Sequence, residues 1–140
     1  MASPPLFSYP NLVIRWAAAL FLVFATYNPS GNSYYHWLVD PDDGRWSLKA
    51  LVGLTLAIAH LTFVFATLRA IGVTGMLTTA ALFATVVWAL MDHGYLLSIG
   101  FWTWVTIILG LVGSLLAVGV SWSHIRARLA GQIDSNDVTL

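Results

Sequence analysis

The chain contains no cysteine and no glutamate, and only 9% of its 140 residues are charged. Without cysteine there are no disulfides, iron–sulfur clusters, thiolate zinc sites or thiol nucleophiles. Without glutamate there is no H-E-x-x-H zinc helix, and no closing ligand for a calcium loop of the EF-hand type. The low charge excludes a water-soluble domain of ordinary make-up, since such domains carry about 25% charged residues. Six basic and six acidic side chains balance to zero, which leaves no basic footprint for nucleic acid. A G-x-S-x-G elbow, a phosphate-binding Walker loop, a dinucleotide fingerprint and a C-x-x-C-H haem attachment are all missing. No catalytic residue, metal or cofactor is therefore assigned.

What is present is apolar: 59% of the residues are hydrophobic, gathered in four runs. These predict membrane spans over 12–27, 48–69, 73–91 and 99–122, each near the ~20 residues that cross a bilayer. The expected architecture is an all-α membrane protein, a four-transmembrane-helix bundle over 1–131 with a mobile cytoplasmic tail over 132–140. No lysine or arginine precedes the first run, and FATYNPSG is a poor cleavage site. The first run is expected to stay as a span rather than act as a cleaved leader. Pro4, Pro5 and Pro10 argue against a continuous helix in the first eleven residues. Phe7 and Tyr9 suit a segment at the lipid headgroups. Pro29 ends the first span, Ile71–Gly75 connects the second to the third, and Asp92–Tyr95 forms the turn before the fourth. Ser47 is the expected N-cap of the second span. The fourth is expected to carry His124, Arg126 and Arg128 onward to a Gly131 C-cap.

Basic residues set the orientation. Arg15, Arg69, Arg126 and Arg128 fall on one side. Arg45 and Lys49 fall on the other, with Asp40, Asp42, Asp43 and Asp92. Both termini are expected in the cytoplasm of a bacterial inner membrane, with the polar stretch Asn28–Trp46 outside as an aromatic periplasmic cap loop.

That cap organises the candidate sites. Asn28-Pro29-Ser30-Gly31 is a turn signal, 33–39 has the length of two turns of interfacial helix, and Asp40–Gly44 is a second turn. Topology brings His36, Asp40, Asp42, Asp43, Asp92 and His93 to one outer face. Imidazoles and carboxylates there suit a divalent metal or a proton relay, although turn formation and solvation account for the same residues. His60 lies near mid-span, and Arg15 in the first turn of the first span. At the depth of His60 an ionisable group marks either a solute pathway or a packed interface, whereas Arg15 is expected either to snorkel to the cytoplasmic phosphates beside Trp16 or to partner a polar group within the bundle. Gly53, Ala57, Gly110, Gly113 and Ala117 form small-residue faces for close helix packing. Tyr27, Tyr34, Tyr35, Trp37, Trp46, Trp88, Tyr95, Phe101, Trp102 and Trp104 make an aromatic collar at the outer boundary. It reads as an interfacial belt, a partner surface, or a quinone or pigment site.

The run N-P-S-G-x-S-Y-Y-H-W at Asn28–Trp37, together with four short spans, resembles a family of small uncharacterised bacterial inner-membrane proteins. The resemblance implies location and supplies no activity. On these grounds the expected partner is the lipid bilayer. The expected function is a homo-oligomer forming a channel- or transporter-like assembly for a small ion or solute. An accessory or assembly subunit of a larger membrane complex is the alternative, and a membrane enzyme or metal-binding protein using the outer His/Asp residues ranks third.

Overall fold

The computed structural model describes residues 9–129, with side chains described over 10–122. The expectations for 1–8, for the Gly131 cap and for the 132–140 tail lie outside the described residues, as do those for the side chains of Tyr9, His124, Arg126 and Arg128. Among the described residues the structure is all-helical: α1 (Tyr9–Thr26), α2 (Tyr34–Val39), α3 (Trp46–Asp92) and α4 (Phe101–Leu129).

Three boundaries differ from the sequence reading. Helix α1 begins at Tyr9 and takes Pro10 into its first turn. Proline fits there, because the first helical N–H groups have no intrahelical acceptor to lose. Helix α3 begins at Trp46 with Arg45 in the N-cap position, so Ser47 lies inside the first turn. The two middle spans form one element, interrupted at Gly72 alone (φ 67°, ψ 176°). Gly75, expected in the connection, is helical.

The direction of α3 follows from connectivity. Arg15 meets Val120, Trp16 meets Ser114 and Leu20 meets Gly113, so α1 and α4 run antiparallel. The first arm of α3 starts at the cap, where Tyr34 Oη donates to the Lys49 carbonyl. It reaches Thr67 against Leu116 and Gly119 of α4. Phe101 then lies about 22 Å back toward the cap end from Leu116, at 1.5 Å per residue. A straight α3 would carry Asp92 about 37 Å the other way. Nine residues of chain bridge at most about 32 Å, far less than that sum, so α3 doubles back at Gly72. The resulting arms, 46–71 and 73–92, are about 39 and 30 Å long.

Nothing lies within 4 Å of a Cβ built on Gly72, so backbone angle alone requires glycine there. Its φ/ψ pair falls in a region that is nearly glycine-only. Gly72→Ala is expected to destabilise the fold by about 1–2 kcal/mol through backbone strain, read as a lower thermal midpoint of the purified protein with unchanged helix content by circular dichroism.

The core is a thin seam. Ala19 and Val23 of α1 pack on Leu116 and Ala117 of α4, with Phe63, Val64 and Leu109 alongside. A Cβ on Gly113 would meet Leu20 Cα at 3.2 Å, and one on Gly119 would enter the Thr67 side chain. Glycine thus sets both helix approaches. Thr67 Oγ1 donates to the Leu116 carbonyl at 3.2 Å across the second of them. The return arm is peripheral: Gly75, Met76, Thr79, Phe83 and Val87 are its half-buried stripe, and Leu77, Leu82, Val86 and Trp88 are exposed. Helix α3 and residues 101–122 of α4 are each long and apolar enough to cross a membrane, whereas the apolar segment Pro10–Thr26 is shorter.

Candidate functional site: the cap and its groove

The cap is built outward from one turn. Asn28 Nδ2 donates to the carbonyls of Phe24 and Asn32, each at 3.0 Å, and its Oδ1 accepts the Ser30 N–H at 3.0 Å. Its side chain therefore closes the end of α1 and the following turn together. Gly31 takes the left-handed conformation (φ 86°) that lets the chain reverse. Helix α2 follows, with Ser33 Oγ 2.7 Å from His36 Nδ1. The His36 ring stacks on Tyr27 (5.5 Å, 21°) and meets Tyr35 edge-on.

Under the cap lies the residue that the sequence reading missed. Lys49 is fully buried. Its ammonium donates to the Asp40 carbonyl at 2.8 Å and reaches the Leu38 carbonyl at 3.5 Å. These carbonyls end α2, and a cation placed there satisfies them and complements the helix dipole. The ammonium also stands 4.8 Å from the Trp46 ring centroid and 5.9 Å from that of Trp37, where ring quadrupoles attract a cation. Placed three residues before Lys49 on the same helix, Trp46 shares its face. That spacing was readable in the sequence. The long-range partners on α2 were not.

A second lock ties the loop after α2. Trp37 Nε1 and the Arg45 guanidinium both donate to Asp43, with Arg45 Nε at 2.7 Å and Nη2 at 3.1 Å. The Arg45 hydrogen bond first, and the Trp37 hydrogen bond second, lower the Asp43 carboxyl from 3.8 to about 2. Its folded pKa is thus below its unfolded value. The stabilisation it supplies is complete above about pH 4 and is lost as pH falls from about 4 toward 2. Tryptophan fluorescence of the wild type is expected to change across that window, and Asp43→Asn is expected to flatten the change.

The six outer-face residues divide. His36, Asp40, Asp42 and Asp43 belong to the cap, where the Asp40 carboxylate accepts the Asp42 N–H at 3.1 Å in a local turn. Asp92 and His93 end the return arm beside a recess of about 210 Å³ shared with Thr85, Trp88 and Ala89. His93 Nδ1 lies 2.8 Å from its own helix carbonyl at Ala89. Among the described residues, no three His or Asp side chains come together as metal ligands.

His60 and Arg15 each meet a helix carbonyl. His60 Nδ1 is 2.8 Å from the Leu56 carbonyl one turn back. Arg15 Nη1 donates to the Val120 carbonyl at 3.3 Å, joining α1 to α4. Of the expected packing residues, Gly113 and Ala117 sit in the α1–α4 seam. Gly53 instead admits Tyr34 of the cap. Ala57 is exposed, and nothing lies within 4 Å of a Cβ on Gly110. The aromatic collar also divides. Tyr34 and Trp37 are built into the cap, while Trp46, Trp88, Tyr95, Phe101 and Trp102 are exposed.

Between α1, the cap and the first arm of α3 runs an open groove of about 890 Å³. Phe21, Phe24, Ala25, Val52 and Leu56 form its apolar part, and Asn32, Ser33, His36 and Asp40 its polar part. The volume lies within the usual range for small-molecule sites. No curated protein and no solved structure matches the chain. The model of a family of unknown function, DUF6524, matches residues 10–140, and the chain belongs to that family.

Proposed function

We propose that this is an integral protein of the bacterial cytoplasmic membrane that crosses the bilayer four times and serves as an accessory subunit of a larger membrane assembly. The observation that carries the membrane part is the inverted burial of α3. Its buried side chains are Lys49 and Thr67, while Leu51, Leu54, Ile58, Leu61 and Phe65 face outward. Water would penalise that arrangement by about 25 cal/mol for each Å² of apolar surface exposed. Lipid tails solvate it without penalty. Folding α3 at Gly72 supplies two crossings, α4 a third, and α1, about 27 Å long, the fourth in a core about 30 Å thick. Arginines at the end away from the cap favour a cytoplasmic location for both termini.

The accessory role is favoured over conduction by the state of His60 and Arg15. Each is engaged with a helix carbonyl, as structural polar groups in membranes are. A homo-oligomeric channel is the second reading. It is favoured by Gly110 and Ala57, small residues that this chain leaves uncovered and that suit close approach of another helix. Purification in mild detergent followed by mass spectrometry separates the two. A stoichiometric foreign membrane protein is the expected result. A clean homo-oligomer that conducts ions in liposomes would overturn the accessory role. Labelling a cysteine placed at Ser30 tests orientation: a membrane-impermeant thiol reagent is expected to reach it in intact spheroplasts. Labelling only after lysis would invert the topology.

A further inference from the structure

We infer that the groove beneath the cap is a lipid site, selective for a phospholipid whose headgroup carries an ammonium over one whose headgroup is anionic. The inference rests on the membrane reading above and extends it to a ligand. The division of the groove matches an amphiphile. Phe21, Phe24, Val52 and Leu56 line its apolar part, while Ser33, His36 and Asp40 stand at the cap.

Charge decides the headgroup. With histidine counted as neutral, Asp40 is the one residue of formal charge in the groove lining. Neither basic residue of the cap lines the groove. The buried Lys49 ammonium is held by the carbonyls of Asp40 and Leu38, and Arg45 is held by Asp43. An anionic headgroup would thus face Asp40 with no basic residue in the lining. A headgroup ammonium would meet that carboxylate with the rings of Tyr34, His36 and Trp37 also lining the groove, and aromatic faces attract cations. The phosphate of the same lipid can accept hydrogen bonds from Asn32 and His36. If the Ser33 hydroxyl donates to His36 Nδ1, the tautomer leaves Nε2–H as a donor.

The test uses the full chain, delipidated in mild detergent and titrated with phosphatidylethanolamine or phosphatidylglycerol of identical acyl chains. Bound lipid is counted by non-denaturing mass spectrometry. The wild type is expected to retain one phosphatidylethanolamine at a concentration about three- to fivefold lower than phosphatidylglycerol, the ratio an exposed ion pair supports. Asp40→Asn keeps the backbone carbonyl that binds Lys49 and an Oδ1 for the Asp42 N–H, so the cap stays closed; it is expected to equalise the two lipids. Val52→Trp fills the apolar part and is expected to remove both. Equal binding by the wild type, preference for phosphatidylglycerol, a preference that survives in Asp40→Asn, or undiminished binding by Val52→Trp would each overturn the site. Failure of the membrane reading is a separate result: release of the wild-type protein from membranes by an alkaline wash, with no lipid added.

Discussion

Lys49→Ala is expected to destabilise the protein by about 3 kcal/mol and to open the cap. The figure joins one charge-assisted hydrogen bond, about 1.5–3 kcal/mol, to a desolvated cation–π contact, about 0.5–2 kcal/mol. The loss falls on one place. Without the ammonium, the carbonyls of Leu38 and Asp40 have lost their long-range donor, and α2, with only six residues, is too short to hold itself. Trp37 and Trp46 then lose the cation between them. Two measurements check the result. The thermal midpoint falls, and a protease that spares the wild type cuts within 28–46 of the variant. Lys49→Arg separates charge from shape. Its fork is planar, whereas the site presents two carbonyls to a compact ammonium, so partial rescue is expected. Full stability in Lys49→Ala would mean that the cap is held without the ammonium, by the Asp43–Arg45–Trp37 lock and the Tyr34 bond to the residue-49 carbonyl.

Lys49 also shows where sequence reading runs out. Apolar runs separated by turn residues reveal helices, because lipid or a core demands a fixed length and periodicity. That logic found all four apolar segments, the short cap helix and a glycine break between the middle two. It misjudged Pro10 and Ser47, since a helix start depends on which orphan N–H groups find acceptors, which is a matter of geometry. In the sequence Lys49 is simply one of two basic residues on the outer side. Its burial depends on Leu38 and Asp40, which return over it only after the 28–45 segment has folded. The outer-face group illustrates the converse. Being on one face does not make six residues a cluster, and the pairs around Asp43 and around His93 satisfy themselves locally.

The small residues are where the fold and the competing functions can be tested together. Gly119→Leu is expected to cost about 3 kcal/mol or more, because the new side chain enters the space of the Thr67 side chain. Overpacking alone costs about 1–3 kcal/mol. Displacing Thr67 also breaks its hydroxyl's bond to the Leu116 carbonyl in a buried position, which adds about 1–3 kcal/mol. Sequence spacing placed Gly110 and Gly113 on one small-residue face and passed over Gly119. The structure ranks them differently: Gly119 and Gly113 have contacts that a side chain would disrupt, and Gly110 has none within 4 Å. Gly110→Leu is accordingly expected to leave the thermal midpoint of the isolated chain unchanged, while Gly119→Leu lowers it sharply or abolishes folded protein. The same pair then separates the functions. If another helix docks on Gly110, leucine there pushes it away without touching the fold. Loss of a foreign partner from the Gly110→Leu preparation would place the accessory interface on that face of α4. Dissociation of a homo-oligomer would place a copy of this chain there.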